Sequence, residues 1–168
     1  MTARNVVVAL VILAGVSQAG DTWVVQPDCV GPVKIGMSLP QLNADLHEKF
    51  SRPQNKEDQG CFYVNPHNHP GVAFMIENGR LVRVDVEKPG ISTVEGVQVG
   101  DTEVHAQSVY GSRLKIEASK YTGDEGGHYL TTQSADKRYG IRFETEKGRI
   151  TEYYAGTYPA IQYVEGCE

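Results

Sequence analysis

The sequence predicts an α+β fold built from two related halves, each a short helix followed by an antiparallel β-meander. A strand–turn–helix pattern, VKIGMSLPQL at residues 33–42, recurs as VQVGDTEVHA at residues 97–106. A hairpin pattern, PGVAFMIENGRLVRVDV at residues 70–86, recurs as YGIRFETEKGRITEYYA at residues 139–155. Helix and strand patterns are segregated within each half, which is typical of α+β domains. We expect one sheet layer covered by the helices.

The chain begins with a predicted secretory signal peptide over residues 1–19. An arginine, a short apolar run, and the small residues Ser17 and Ala19 at −3 and −1 have the order of such a leader. A retained membrane anchor is the alternative, but the apolar run is short for a membrane span. Cleavage would leave residues 20–168 as one domain. We therefore expect a periplasmic or secreted protein that starts at Gly20 and is not inserted in the membrane.

The formal net charge is −5, and loss of the leader with its single arginine would make it −6. An acidic chain without basic clusters lacks the electrostatic footprint of nucleic-acid-binding proteins. We therefore expect no nucleic-acid partner. The phosphate-binding pattern G-x-x-x-x-G-K-[ST] is also absent, and we expect no cofactor.

The first half begins with a predicted strand and a capped helix. Val33 and Ile35 alternate with polar neighbours, as in a strand with one buried face. Gly36 permits a turn, and Ser38 with Gln41 three residues later forms the sequence pattern of a capping box. The apolar stripe of this helix contains Leu39, Leu42, Leu46 and Phe50.

The second half repeats this plan. Val97 and Val99 correspond to the first predicted strand, and Thr102 takes the N-cap position. The apolar side chains of its helix are Val104, Val109 and Tyr110, and Gly111 should end it.

Each helix is followed by predicted strands that form a meander. Residues 61–64 and 127–130 are strand candidates, and residues 113–119 alternate as a further strand. Gly79-Arg80 and Gly148-Arg149 mark the turns of the two hairpins. The predicted repeats span residues 29–90 and 93–157, and a C-terminal tail follows.

Three cysteines, Cys29, Cys61 and Cys167, would remain after cleavage. Outside the cytoplasm one pair is expected to form a disulfide, and three pairings are possible. We favour Cys61–Cys167, because that bond would fasten a C-terminal end that otherwise frays. A C-x-x-C motif is absent, so a structural bond is favoured over a redox-active one.

Strand alternation predicts which side chains of the two hairpins face away from the helices. Val82, Val84 and Val86 should point inward, with Val72, Phe74, Ile141 and Phe143. The predicted open face consists of Met75, Leu81, Arg83, Asp85, Arg142, Glu144, Ile150, Glu152 and Tyr154. Met, Tyr and Arg are enriched in protein-binding surfaces. The alternative is that the apolar terminal segment, TYPAIQYVEG, covers this face.

Catalytic and metal-binding patterns are weak in this sequence. G-x-S-x-G is absent, and the serines and histidines show no order typical of a triad. His67 and His69 lie among asparagines and prolines, which is typical of a loop rather than of a metal site. TGDEGGH at residues 122–128 lacks the spacing of a calcium-binding EF-hand loop. We expect neither a metal site nor an enzyme.

Several segments resemble known proteins. GPVKIGMSLPQL, EGVQVGDTEVHAQSVYG and the terminal VEGC resemble a widespread family of uncharacterised exported bacterial proteins. The duplicated helix-plus-meander plan is similar to the β-lactamase-inhibitor-protein architecture, in which two such halves form a concave sheet that grips another protein. Small outer-membrane-assembly lipoproteins resemble one half. No residue role is implied by these resemblances.

The sequence therefore predicts a monomeric, exported, non-catalytic protein-binding module, in concrete form an inhibitor of an envelope or secreted hydrolase. The partner is expected to be another protein, bound by the open face and by the loops at residues 65–70 and 131–138. A structural envelope-assembly factor and an unmarked hydrolase are the alternatives.

Overall fold

The computed structural model describes residues 23–167, and the predicted signal peptide lies outside them. Within this range the chain is mixed α+β, with two sheets and few helices. The α-helices are α1 (Leu39–Leu46) and α2 (Glu103–Tyr110). The strands are β1 (Val24–Gln26), β2 (Cys29–Val30), β3 (Val33–Lys34), β4 (Cys61–Val64), β5 (Val72–Glu77), β6 (Arg80–Val86), β7 (Ser92–Thr93), β8 (Lys115–Ala118), β9 (His128–Gln133), β10 (Tyr139–Glu146) and β11 (Arg149–Thr157).

The larger sheet has seven strands in the order β4-β5-β6-β11-β10-β9-β8, and all neighbours are antiparallel. Both predicted hairpins, β5–β6 and β10–β11, are present, as is the predicted strand at residues 61–64. The second strands of the two hairpins pair in the middle of the sheet. This pairing joins the two predicted halves into one continuous surface.

A second, four-stranded sheet has the order β3-β2-β1-β7, so the expectation of one sheet layer is wrong. Its strands are two or three residues long. Only β3 coincides with a strand predicted from alternation, the one at Val33, and the other strands are too short for alternation to reveal them. The strand predicted around Val97 and Val99 is also not formed. Gln98 makes only an isolated bridge to Ser92.

The hydrophobic core lies on one face of the seven-stranded sheet. Both helices contribute to it, through Leu39 and Leu42 of α1 and Ala106 and Tyr110 of α2. The small sheet adds three buried side chains, Val25, Val30 and Val33, and Trp23 just before β1 is buried with them. Val104, which was predicted to lie on the apolar face of the second helix, is instead 74% exposed.

A β-bulge in the first hairpin changes which side chains face the core. The register shifts from Met75 opposite Arg83 to Ile76 opposite Leu81, so Val82 is an extra residue. An extra residue reverses the alternation beyond it. Leu81 is therefore fully buried in the core, and its assignment to the open face is wrong.

The second hairpin has a bulge at the corresponding position. Glu144 lies opposite Glu152, the next pair is Thr145 and Ile150, and Thr151 is the extra residue. Ile150 is consequently in the core as well, which corrects its predicted place on the open face. The inward orientation predicted for the other hairpin residues is wrong for Val82, which lies in the bulge and outside the core. The other six residues predicted to point inward are in the core: Val72, Phe74, Val84, Val86, Ile141 and Phe143.

The glycine turns before the helices bind the hairpins through matching hydrogen bonds. The Gly36 N–H donates to the Leu81 carbonyl at 2.8 Å, and the Gly100 N–H donates to the Ile150 carbonyl at 2.9 Å. Both glycines have positive φ, at 96° and 93°, where other residues are strained. These contacts place the helix N-termini against the hairpin turns.

We predict that the two helix caps differ in their contribution to stability. The Thr102 hydroxyl accepts a hydrogen bond from the His105 N–H at 3.1 Å, whereas the Ser38 hydroxyl lies 2.9 Å from Gln41 Oε1. Thr102→Ala should lower the free energy of unfolding by about 0.5–2 kcal/mol, and Ser38→Ala by less. Urea denaturation checks this, with Thr102→Ser as the control that keeps a hydroxyl. Equal midpoints for wild type and Thr102→Ala would contradict the assigned cap.

The predicted disulfide is confirmed, because Cys61 and Cys167 are bonded and Cys29 is left as a free, half-buried cysteine. A disulfide is typical of proteins that leave the cytoplasm. Within residues 23–167 no helix is both long enough and apolar enough to cross a membrane.

Candidate functional site

The C-terminal segment Tyr158–Cys167, called here the C-terminal strap, lies across the face of the large sheet opposite the core. Ala160 and Ile161 in its 3₁₀ turn are buried, and its end is bonded to β4 through Cys61. The face that we predicted to be open is therefore partly covered by the terminal segment, which was the alternative prediction.

Seven of the nine residues predicted for this face do lie on it. They are Met75, Arg83, Asp85, Arg142, Glu144, Glu152 and Tyr154, and none of them belongs to the core cluster. Only the two glutamates retain intermediate exposure; the other five are buried. The expectation that Arg83 and Tyr154 project into solvent is wrong, because the strap and their mutual contacts cover them.

Arg83 connects the sheet to the strap. Its Nε and Nη2 donate to the two carboxylate oxygens of Asp85 at 2.7 and 2.8 Å, and Nη2 also donates to the Tyr63 hydroxyl at 2.7 Å. Its Nη1 donates to the carbonyl oxygens of Tyr163 at 2.7 Å and Ala160 at 3.2 Å. All five N–H donors of the guanidinium are thus used.

The Arg83–Asp85 pair is a buried ion pair. Burial raises the pKa of the Asp85 carboxyl, while the hydrogen bonds and charge of Arg83 oppose that rise. The Arg83 guanidinium also lies 4.3 Å from the centre of the Tyr154 ring, in a cation–π contact. The Asp85 carboxylate requires the Arg83 guanidinium as its partner, because a buried charge without a partner is strongly unfavourable.

Arg142 makes a second set of contacts on the same face. Its Nε donates to the Thr131 hydroxyl at 3.0 Å, and Nη2 donates to Gln162 Oε1 of the strap at 2.7 Å. Its guanidinium lies 4.7 Å from the Tyr129 ring centre, and Nη2 is 3.5 Å from a Glu117 carboxylate oxygen. Both arginines of the face therefore fasten the strap to the sheet.

Glu144 and Glu152 face each other across β10 and β11, and the Tyr154 hydroxyl donates to Glu144. Burial, followed by the charge of Glu152, raises the pKa of Glu144 to about 7. Burial and the charge of Asp85 raise the pKa of Glu152. Two close, half-buried carboxyls do not both ionise easily, so the pair holds a proton near neutral pH.

We predict a pH dependence of stability from this pair. The folded-state pKa of Glu144 lies above its ordinary 4.5, so the folded protein binds the proton more tightly than the unfolded chain does. The resulting stabilisation is present at low pH and is lost as the pH rises to about 7. Glu144→Gln should reduce the fall in unfolding free energy across this interval, measured by urea denaturation at several pH values. Glu146→Gln, at an exposed carboxyl, should keep the wild-type slope; the same slope in both variants would contradict the assignment.

A cleft of about 370 Å³, called here the tyrosine cleft, opens between the strap and the sheet. Its walls include Tyr63, Tyr154, Glu87 and Glu152, with strap residues 164–166 on one side. A second cleft of about 430 Å³, the disulfide cleft, is lined by Cys61, Met75, Glu77, Lys120 and strap residues 163–167. The end of the strap lines both clefts.

The tyrosine cleft has a negative balance of charge. Arg83 is neutralised by Asp85, and strap residue Glu165 is paired with Lys120, whose Nζ lies 2.6 Å from its carboxylate. The remaining acidic residues of the wall are Glu87, which is exposed, and Glu152, which is paired with Glu144. The Glu87 carboxylate and the half-buried Tyr63 on the same wall suit a cationic group, which gains an ion pair and a cation–π contact.

The two histidines of the loop at residues 65–70 have separate partners. The His67 Nδ1 atom lies 2.7 Å from a Glu48 carboxylate oxygen, and the His69 ring stacks on Trp23 at 3.5 Å. Within residues 23–167 no group of three or more His, Cys, Asp or Glu is arranged to hold a metal ion. The other predicted contact loop is shorter than expected, since residues 131–133 belong to β9.

Sequence reasoning missed several residues of this site. Tyr63 alternates with the buried residues Phe62 and Val64, so its place on the face was predictable from the same alternation used for the hairpins. Tyr129 precedes the core residue Leu130 in the strand predicted at residues 127–130, so it was predictable in the same way. Gln162 carried no comparable signal, because its role depends on the packing of the strap against Arg142.

No protein-family model and no curated protein sequence matches this chain. Among solved structures, the chain is similar to an extracellular protein containing a SCP domain from Bacillus anthracis str. Ames, with 12% sequence identity and a TM-score of 0.45. The similarity covers 74% of this chain and 44% of that one, so this chain spans less than half of the length of that protein.

Proposed function

We propose that this protein is an exported protein-binding module that holds a basic side chain of its partner in the tyrosine cleft. The observation that carries the proposal is the cleft itself, a concave site with two tyrosines and the exposed Glu87 carboxylate at its wall. Concave sites with a few convergent polar groups are the usual places of recognition. The Cys61–Cys167 disulfide supports export. Periplasmic or secreted location, with a signal peptide, remains part of the proposal.

The partner is proposed to be a protein rather than a small cation. The contact face is a broad antiparallel sheet of two related halves, and the matching turn contacts of Gly36 and Gly100 support that duplication. Aromatic residues and arginine, which are enriched at protein interfaces, surround the cleft. The binding surface is smaller than the nine-residue face inferred from the sequence, since the strap covers part of it.

The proposal is tested by capture of the partner with the mature protein, from the culture supernatant and envelope extract of the source cell. Glu87→Lys should reduce the yield of a captured protein, because it reverses an exposed charge at the cleft wall. Glu146→Lys makes the same charge change at an exposed position outside the tyrosine cleft and should leave the yield unchanged. Capture should also weaken with salt, as expected for an interaction steered by charge. Equal capture by both variants would refute the cleft as the site.

The identity of the captured protein distinguishes the two non-catalytic forms of the proposal. An envelope or secreted hydrolase whose activity falls on binding supports an inhibitor. A structural envelope protein, with an envelope defect on deletion of the gene, supports an assembly factor.

A hydrolase is a second candidate, favoured by one arrangement: Glu144 lies opposite Glu152 and accepts a hydrogen bond from the Tyr154 hydroxyl. Glu144, with its pKa near 7, is poised to give or take a proton at physiological pH. Turnover of a substrate by the pure protein that is lost in Glu144→Gln and retained in Glu146→Gln would support catalysis over binding.

A further inference from the structure

The C-terminal strap is held in two different ways along its length. Its proximal part, residues 158–162, is packed into the face: Ala160 and Ile161 are almost completely buried. The Ile161 Cδ1 atom comes so close to Gly140 that a Cβ there would lie 2.7 Å from it. The proximal part is therefore held by burial of its apolar side chains, and Gly140, which has no side chain, leaves the room that Ile161 occupies.

The distal part, residues 163–167, has few apolar contacts. Tyr163 is 39% exposed, and Glu165 is also exposed. Its non-covalent contacts include the hydrogen bond from Arg83 to the Tyr163 carbonyl, the pairing of Glu165 with Lys120, and the hydrogen bond that the Tyr121 hydroxyl donates to Glu165. Exposed ion pairs contribute little to stability. The disulfide is therefore the strongest link between this part and the sheet.

The distal strap also separates two empty spaces. The tyrosine cleft lies on one side and the disulfide cleft on the other, and residues 164–166 line both. Without these residues the clefts would join into one groove across the sheet, from Met75 and Lys120 to Glu87 and Glu152. A groove of that form has room for an extended chain.

We propose that residues 163–167 occupy a groove for an extended peptide segment of the partner, and that reduction of the Cys61–Cys167 bond opens it. This inference rests on the proposed function, since it assigns to the same face an opening controlled by disulfide reduction and a longer contact with the partner. The proximal strap stays in place, and the chain turns away after Gln162, whose amide nitrogen is buried without a hydrogen-bond partner. Release of the distal strap costs the exposed contacts of Glu165 and the hydrogen bond from Arg83 to the Tyr163 carbonyl, while the contacts of Arg83 with Asp85, Tyr63 and Ala160 remain.

The strap itself indicates the chemistry of the peptide that replaces it. A backbone carbonyl accepts from Arg83, and a carboxylate pairs with Lys120. Gly166 sits over Tyr63, where a Cβ would lie 2.7 Å from the hydroxyl oxygen. The groove is thus suited to an extended segment with an acidic residue followed by glycine. The basic side chain of the partner at Glu87 would lie on the other side of the strap.

The opening step requires a dithiol reductant. One thiolate of the reductant attacks a sulfur of the Cys61–Cys167 bond and forms a mixed disulfide, which the second thiol resolves. Two electrons and two protons pass to the protein as two cysteine thiols, and the reductant leaves as its own disulfide. Cys61 and Cys167 both line the disulfide cleft and are only half-buried, so the bond is open to attack from this cleft.

Hydrogen exchange with mass spectrometry tests the opening in the mature protein. Treatment with dithiothreitol should accelerate exchange of the amides of residues 163–167 on the order of tenfold or more, which is about 1.4 kcal/mol. Exchange in β6, β10, β11 and residues 160–162 should not change. The double variant Cys61→Ser/Cys167→Ser should match the reduced protein without reductant. Unchanged protection of residues 163–167, or loss of protection throughout the sheet, would overturn the proposal.

A labelled peptide tests the groove. The probe is residues 163–168 carrying Cys167→Ser, and the protein is the full mature chain with Gly166→Val. This substitution strains the chain's own strap, because Gly166 has a φ of 65°. Reduction should tighten peptide binding on the order of tenfold, and a peptide that also carries Glu165→Lys should bind more weakly. Equal binding before and after reduction overturns the proposal. No partner protein is used, so this result is independent of whether partner capture succeeds.

Discussion

Arg83→Ala is expected to lower the free energy of unfolding by about 3–5 kcal/mol, the usual cost of removing one member of a buried ion pair. The substitution leaves the Asp85 carboxylate buried without its two charge-assisted hydrogen bonds. It also removes the donors to the strap carbonyls of Ala160 and Tyr163. Urea denaturation of the oxidised protein measures the loss.

A double variant provides the matched control for this prediction. In Arg83→Met/Asp85→Leu the buried carboxylate is removed together with its partner, so no uncompensated charge remains. This variant should recover most of the stability lost in Arg83→Ala. A change within about 0.5 kcal/mol for Arg83→Ala, as is usual for exposed positions, would instead show that the side chain faces solvent.

Phe143→Ala is expected to lower the free energy of unfolding by about 3–5 kcal/mol through formation of a cavity. The side chain is fully buried, and its ring lies 5.5 Å from that of Tyr110 in α2 and 5.4 Å from that of Tyr153 in β11. Its loss would therefore loosen the contact between a helix and the middle of the sheet. Thermal and urea denaturation measure the effect.

Two control variants separate the loss of side-chain volume at Phe143 from the effect of truncating an aromatic ring at an exposed position. Phe143→Leu keeps most of the apolar volume and should cost less than the alanine variant. Tyr121→Ala truncates a ring that is 62% exposed and should change stability by only about 0.5 kcal/mol. A small effect of Phe143→Ala would mean that the alternation assigned to β10 is wrong.

Phe143 and Leu81 show where side-chain alternation predicts the buried face of a strand correctly and where it does not. Phe143 was placed in the core from the alternating pattern of its strand, and it lies there. Leu81 follows the same rule in the neighbouring hairpin, but the extra residue Val82 reverses its direction. A bulge depends on how two strands pair, and one strand read alone does not reveal it.

The candidate site shows a similar division. The alternating residues Arg83, Asp85 and Tyr154 indicated a charged and aromatic face, and all three are on it. Their exposure was predicted wrongly, because the strap covers them. This contact is distant in sequence: the Ala160 carbonyl of the strap, which accepts a hydrogen bond from Arg83, lies 77 residues further along the chain. Nothing in the local pattern of β6 signals that contact.

The sequence by itself determined the local features: the capped helices after Gly36 and Gly100, and the two hairpins. These depend on neighbours a few residues apart, on hydroxyl caps, glycine turns and side-chain periodicity. The sequence left three cysteine pairings open, and the structure forms the favoured one, Cys61–Cys167. Only the tertiary structure decided the small second sheet, the bulges and the strap across the sheet face. Each of these arises where distant segments meet, because the free energy of burying them is gained only once the chain has brought them together.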